Sequence, residues 1–403
     1  AYGTVCAALN LNTGEHVAVK RIKQVFSSYP TACRILRELK FLRILCQHEN
    51  IITIKDILAP LHKDSFTDIY VVQELFPSDL SRLLRSKTVL NNQHMKYLMF
   101  QILRAVYFLH SCGVLHRDLK PSNILVNSKC HLRICDFGLA RASFPNRNEK
   151  DLTLWTDYVA TRWYRAPELI MTPIGTYSAS IDLWAVGCIF AEILSRGLPL
   201  FPGQSQLHQL ELILMVTGRP EQAVIDKLQS PQVRAHIASL PPREKVELST
   251  LFPTSDPQAL DLISKLLEFD PSKRISAADG INHPYFADLR HKLGSGQVPQ
   301  PIDSNEFLFE QNRWSVERMR QEFVREIAFF HPEVLAPNST QDSGSPFVQS
   351  FNQAEMGSDN GSANPSTMPS DWVRDQMNTS SEQQFRPPTF GDTEMSRVKE
   401  WPR

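Results

Sequence analysis

An α+β fold in two unequal lobes, a small one rich in strand and a large one rich in helix, is what the patterning of this 403-residue chain predicts. Three observations carry the expectation. Val17-Ala18-Val19-Lys20 and Ile69-Tyr70-Val71-Val72 are short β-prone runs near the start of the chain. Ile35, Leu39 and Leu42 recur at i, i+4 and i+7 between them, which predicts one helix from about Thr31 to Cys46. From Asp79 onward apolar helical stretches dominate, until the apolar period stops near Leu335. The expected divisions are a small lobe over 1–76, a large lobe over 77–286, an extension over 287–334 that packs on both lobes, and a tail over 335–403.

Taken in order, the VAVK strand sets Ala18 and Lys20 on one face. Tyr97–His110 and Ile181–Leu194 are apolar around most of their circumference, so both are expected to be buried core helices. Gly113 and Gly197, just beyond them, are good helix stops. The tail is rich in Ser, Asn, Gln, Pro and Asp, with nine acidic against five basic residues. It cannot bury enough apolar area to offset its ordering entropy and is predicted to be disordered.

Composition excludes several classes of partner. With 43 basic and 43 acidic residues, the chain offers a nucleic acid no electrostatic support. The most apolar stretch, Leu183–Leu194, is interrupted by Glu192 and is too short to span a bilayer, so no membrane partner is expected. The seven cysteines form no CxxC pair and read as free thiols in a reducing compartment.

The chemistry lies in Leu115-His116-Arg117-Asp118-Leu119-Lys120-Pro121-Ser122-Asn123, followed by Asp136-Phe137-Gly138. An HRD-x-x-x-x-N loop sets a carboxylate, Asp118, where a substrate hydroxyl must lose its proton. Lys120, two residues on, can neutralise charge on a transferring phosphoryl group. Asn123 and Asp136 supply hard oxygen ligands for magnesium on nucleotide phosphates. Lys20 would hold those phosphates if Glu38, on the predicted helix, oriented it. Alone, such a Lys and Glu read as solvated charges; the downstream motifs turn the reading to an ion pair. Ala1-Tyr2-Gly3-Thr4-Val5 looks like the second half of a G-x-G-x-x-G-x-V loop, from which the chain is expected to be a fragment. The whole set resembles the apparatus of protein kinases, and so implies the bilobal protein kinase fold with ATP and Mg2+. A pseudokinase usually lacks Lys20, Asp118 or Asp136, and none is missing here.

The segment Thr156-Asp157-Tyr158-Val159-Ala160-Thr161-Arg162-Trp163-Tyr164-Arg165-Ala166-Pro167-Glu168 narrows the resemblance. It is similar to the activation segment of mitogen-activated protein kinases, and the similarity covers about residues 1–334. The resemblance implies phosphorylation of Thr156 and Tyr158, with Arg37, Arg117 and Arg141 gathering phosphothreonine and Arg162 and Arg165 gathering phosphotyrosine. It implies that the carbonyl of Val159 turns toward Arg165, leaving the N–H of the residue after the acceptor without a partner. Proline has no N–H and escapes that penalty, so Ser/Thr-Pro sites are expected. For the nucleotide it implies Gly3 and Val5 over the phosphates, and Ala18 and Leu125 about adenine. Gln73 would be the gatekeeper, Glu74 to Phe76 the hinge, and Asp79 a ribose partner. Asp182 is expected to anchor the catalytic-loop backbone, and Glu168 to pair with Arg274. Cys135 reads equally as a reactive thiol beside the phosphates or as a small buried hydrophobe. The implied partners are an upstream dual-specificity MAP kinase kinase, protein substrates and phosphatases, with cytoplasmic and nuclear localisation.

The match departs at the docking patch that such kinases carry after the catalytic domain. In Phe307-Leu308-Phe309-Glu310-Gln311-Asn312-Arg313-Trp314 only Glu310 is acidic, and Ser128-Lys129 nearby is not acidic either. Phe309–Asn312, Ser315-Val316, Val25-Phe26 and Arg37–Lys40 resemble the nemo-like branch, which lacks the tyrosine present here as Tyr158. The subfamily stays open. A non-catalytic scaffold on the same fold is the alternative function, and a cyclin-binding kinase is disfavoured by Tyr158 and by the insert at about 216–258.

Overall fold

The computed structural model describes residues 3–142, 161–171, 178–226, 230–253, 255–290 and 302–335. In the small lobe, β1 (Thr4–Asn10), β2 (Glu15–Ile22), β3 (Ile54–Ile57) and β4 (Ile69–Glu74) form an antiparallel sheet in the order β1-β2-β4-β3. Alternation along β2 sets Val17 and Val19 into a small cluster with Tyr70 and Val72, and so sends Ala18 and Lys20 to the opposite face. Helix α1 (Tyr29–Leu45) begins two residues before the expected start at Thr31. The reason is local: Ser28 caps it by accepting the Thr31 N–H, and Pro30 supplies a fixed φ in the first turn.

The large lobe is built on two buried helices. Between β4 and the first of them lie β5 (Ser78–Asp79) and α2 (Leu80–Arg85). Helix α3 (Asn92–Ser111) begins five residues before Tyr97, because Asn91 and His94 form a capping box over a polar first turn that carries no apolar signal. The next strands are β6 (Val114–Leu115), β7 (Ile124–Val126), β8 (Leu132–Ile134) and β9 (Arg141–Ala142). They make a β5-β7-β8 ribbon and a β6-β9 pair that bracket the HRD and DFG motifs. The short α4 (Pro167–Met171) precedes α5 (Ser180–Leu194), in which every residue from Ile181 to Ile193 is buried. Gly113 and Gly197 follow α3 and α5 with φ of +73° and +90°. Six further helices, α6 (Gln206–Thr217), α7 (Gln222–Asp226), α8 (Pro231–Ser239), α9 (Leu248–Leu251), α10 (Pro257–Leu266) and α11 (Ala277–Ile281), complete the described lobe. Glu168 and Arg274 form the expected pair at 2.7 and 3.0 Å, and the guanidinium lies over Trp184.

The extension returns to the small lobe. A 3-10 segment (Ser304–Glu310) and α12 (Val316–Ala328) pack on α1 through Phe41 against Phe307 and Phe26 against Phe323. Charge reinforces the contact. Lys40, 1% exposed, lies 2.9, 3.0 and 2.7 Å from Glu306, Glu322 and Glu326. Arg43 adds contacts of 2.8 Å to Glu306 and 2.7 Å to Glu326. Burial alone would lower the Lys40 pKa, but these carboxylates, Glu326 foremost, outweigh it and leave the ammonium favoured. Among the described residues all cysteines are free, and no helix is long and apolar enough to cross a membrane.

Glu326→Ala removes the most buried of the three carboxylates and leaves Lys40 partly uncompensated. It is expected to destabilise the fold by about 3 kcal/mol in urea denaturation. Lys273→Ala, which breaks an exposed pair with Glu221, is expected to leave the midpoint unchanged.

Candidate active site

The catalytic loop hangs from one carboxylate. Asp182, in the first turn of α5, is buried and accepts the backbone N–H groups of His116 at 2.9 Å and Arg117 at 2.8 Å. It also lies 3.0 Å from His110 Nε2. Burial would raise its pKa, but the His110 hydrogen bond, the two histidines and the Arg117 N–H outweigh that and hold it ionised. The loop so pinned passes through Arg117 in the left-handed region, φ +67°. Asp118 Oδ2 then accepts from Lys120 Nζ at 2.8 Å and from Asn123 Nδ2 at 3.2 Å. Asn123 Nδ2 also donates to the Asp118 carbonyl at 2.9 Å, which fixes the far end of the loop against its centre.

The second motif is tied to the first through the backbone, since Cys135 N–H donates to the Asn123 carbonyl at 3.0 Å. That sets Asp136, itself at φ +65°, beside the catalytic loop. Burial pushes its pKa up, but Lys20, Arg34, His116 and Lys120 outweigh burial and keep the carboxylate ionised. Lys20 Nζ meets Glu38 Oε1 at 2.6 Å, the expected strand-to-helix pair. Burial lowers the Lys20 pKa, and the charge and hydrogen bond of Glu38 more than restore it. An added Cβ at Gly138 would stand 2.7 Å from Arg34 Nε, so the Arg34 side chain would have to shift to admit it.

Of the positions expected about the nucleotide, Val5 and Gln73 stand opposite Lys20 and Ala18 and so share their face of the sheet. Gly3 crosses the end of β2 so closely that a Cβ would lie 2.3 Å from the Arg21 carbonyl, while Val5 is exposed. Ala18 stands opposite Gln73 in the β2–β4 register, and Leu125 is half-buried in β7. In the hinge, Glu74 accepts from Arg133 Nε at 3.1 Å, and that guanidinium lies over Phe76. Asp79 caps α2 by accepting the Arg82 N–H at 2.9 Å. The donors of Asn123 and Asp136, one carboxamide and one carboxylate, suit a hard divalent cation that arrives with phosphates. Among the described residues no group of His, Cys, Asp and Glu could hold a metal by itself.

The protein kinase domain family matches residues 1–286. Over 336 residues the chain is 46% identical to Mitogen-activated protein kinase 4 of Oryza sativa subsp. japonica, covering 83% of this chain and 88% of that protein. The chain belongs to the mitogen-activated protein kinase family. Mitogen-activated protein kinase 7 of Arabidopsis thaliana is 45% identical over 342 residues, 84% of this chain and 89% of that protein. Other relatives are longer: the chain spans about half, 54% and 56%, of Mitogen-activated protein kinases 10 of Oryza sativa subsp. japonica and 18 of Arabidopsis thaliana.

Of the family's regulatory positions, Thr156, Tyr158 and Val159 lie outside the described residues, as does the tail from residue 336. Arg37, Arg117 and Arg141 do converge, donating to three successive carbonyls, those of Gly138, Leu139 and Ala140. Arg162 and Arg165 flank a single 3-10 turn, and Arg162 donates to the Gln204 carbonyl at 3.0 Å. One expectation needs correction. Glu310 is not a surface acid of a docking patch: its side chain is 8% exposed and pairs with Arg37, because the 3-10 segment turns it inward onto α1. Cys135, left open between two readings, is only partly buried, and desolvation with the neighbouring Asp136 pushes its thiol above the ordinary range despite Lys20, which weighs against the reactive-thiol reading. One pair escaped the sequence altogether. Tyr164 donates to the buried Glu192 at 2.6 Å, tethering the segment before Ala166-Pro167-Glu168 to α5. Its signal was the lone charge interrupting an apolar helix.

The Cys135 result is testable by alkylation. Iodoacetamide at pH 8 is expected to label exposed Cys46 first, and Cys135 at least about a hundredfold more slowly, because only the thiolate reacts. Mass spectrometry of the time course reads it directly.

Proposed function

We propose that the chain is a proline-directed serine/threonine protein kinase of the mitogen-activated type, transferring the γ-phosphoryl group of MgATP to Ser or Thr before Pro. The observation that carries this reading is the convergence of Lys20–Glu38, Asp118–Lys120–Asn123 and Asp136 on one cleft, each held by a partner that fixes its direction. In the reaction the substrate hydroxyl oxygen bonds to the γ-phosphorus as the bond to the β–γ bridging oxygen breaks, and ADP leaves. Asp118 receives the hydroxyl proton, and its hydrogen bonds from Lys120 and Asn123 engage one oxygen and restrain the carboxylate. Lys120 would also offset charge on the transferring group. Lys20, oriented by Glu38, binds the remaining phosphates. Asn123 and Asp136 would hold magnesium, which when bound neutralises phosphate charge.

The same reading assigns regulation to phosphorylation of Thr156 and Tyr158 by an upstream dual-specificity kinase, with reversal by phosphatases, in the cytoplasm and nucleus. Arg37, Arg117 and Arg141, gathered beside the DFG motif, and Arg162 and Arg165, beside the segment before Pro167, are the basic groups available to those phosphates. Specificity for proline rests on the Val159–Arg165 relation that the family resemblance supplies.

The test compares matched Ser-Pro and Ser-Ala peptides with the doubly phosphorylated chain. A preference of about ten- to a hundredfold in kcat/KM for Ser-Pro is expected, the cost of one unpaired N–H. Asp118→Asn is expected to lower kcat by about 10²- to 10⁴-fold. Equal rates on the two peptides would remove the proline argument, and turnover no faster than Asp118→Asn would favour the scaffold.

A further inference from the structure

The arginine assigned above to phosphothreonine already holds an anion. Arg37 is 4% exposed; its Nε donates to Glu310 Oε1 at 2.5 Å and its second nitrogen to the Gly138 carbonyl at 2.7 Å. We propose that Glu310 is a positioning residue whose carboxylate stands in for phosphothreonine at Arg37, holding α1 in the register that pairs Glu38 with Lys20 before Thr156 is phosphorylated. The proposal rests on the kinase reading above and deepens its regulation.

Three observations support it. The first is register. Arg37 and Glu38 are adjacent on α1, and the Glu38–Lys20 contact of 2.6 Å is already made while Arg37 is held by Glu310. The second is charge. Arg37, Arg117 and Arg141 reach three consecutive carbonyls, and Arg37 and Arg141 are buried. Carbonyl dipoles carry no net negative charge, whereas Glu310 gives the buried Arg37 guanidinium a carboxylate from within the chain. The third is rigidity. Glu310 sits between Phe309, which is fully buried, and residues tied to α1 by the Tyr29 hydroxyl, which lies 2.5 Å from the carbonyls of both Phe309 and Asn312. A carboxylate on so fixed a segment transmits its position to α1.

A phosphate arriving at Thr156 therefore finds Arg37 in use. It either displaces Glu310 or shares the guanidinium, and in both cases the gain in α1 placement is smaller than for an arginine without an internal acid. Loss of the Glu310 charge should make that placement depend on the phosphate.

The experiment uses the full chain in phosphatase-treated and Thr156/Tyr158-phosphorylated forms, as wild type, Glu310→Gln and Glu310→Asp. The readouts are the MgATP Kd by titration calorimetry, kcat and KM for ATP, and the thermal midpoint. In the unphosphorylated form Glu310→Gln is expected to weaken MgATP binding by about tenfold and to lower kcat/KM at least as much, the change expected for loss of one charge-assisted pair. Phosphorylation should return both to within about threefold of phosphorylated wild type, with Glu310→Asp intermediate. If Glu310→Gln does not fold, Glu310→Asp decides by the same pattern of loss and rescue. Unchanged or tighter binding in the unphosphorylated variants overturns the proposal, as does a loss that phosphorylation leaves in place, which would mark Glu310 as structural only. Absence of turnover in phosphorylated wild type would instead defeat the kinase reading, and the Kd comparison would still decide the role of Glu310.

Discussion

Glu38 meets Lys20 only because α1 is stopped at one depth and one rotation, and charge sets both. Leu36, Leu39 and Leu42 bury the apolar side of the helix, but apolar contact is non-directional and tolerates sliding. Arg37, Lys40 and Arg43 form a second stripe, and each is bound by carboxylates of the returning C-terminal segment. A shift of one residue would pull Lys40 away from three acids while keeping it buried, an outcome costing several kcal/mol. The extension is thus part of the small lobe's machinery, although it lies more than 200 positions away in the chain.

The large lobe solves a similar problem with backbone hydrogen bonds. Arg117 and Asp136 both occupy the left-handed region without being glycine, at φ +67° and +65°. Each such conformation costs on the order of 1–3 kcal/mol, and it persists where surrounding contacts over-determine it. For Arg117 the determining contact is Asp182, whose carboxylate receives two consecutive N–H groups. For Asp136 it is the bracket of Cys135 against Asn123 and of Gly138 N–H against the Asp136 carboxylate. The two strained residues border the proposed chemistry on both sides, so the backbone is bent where the side chains must converge.

This division explains what could be read from the sequence. The β2 and β4 strands, the two core helices, the Lys20–Glu38 pair and the Glu168–Arg274 pair were legible, because period and motif spacing are local signals or belong to a shared template. Helix starts were missed by two to five residues, because caps such as Ser28 and Asn91 act through hydrogen bonds and leave no apolar trace. Glu310 was misplaced for a deeper reason. An acid in a segment expected at the surface has nothing beside it in sequence to show a partner 273 positions earlier. Cys135 was undecidable from its neighbours, since nearby Lys20 lowers a thiol pKa and burial raises it, and only the fold shows that burial wins.

What the fold adds to the motifs is a closed circuit. Lys20 pairs with Glu38; Glu38 is followed back along α1 by Arg37; Arg37 donates to the Gly138 carbonyl; Gly138 N–H meets the Asp136 carboxylate at 3.4 Å; and the field of Lys20 keeps Asp136 ionised. The Lys20–Glu38 and Arg37–Gly138 links are short directional contacts and Arg37–Glu38 is a peptide bond, so moving α1 disturbs them together. Glu310 joins the circuit from outside at Arg37, the one member of it assigned to an incoming phosphate. An anion placed there, whether carboxylate or phosphate, acts on both the residue that orients the lysine and the residue that would hold magnesium. The catalytic loop is held separately by Asp182, so a change of charge at Arg37 acts first on α1.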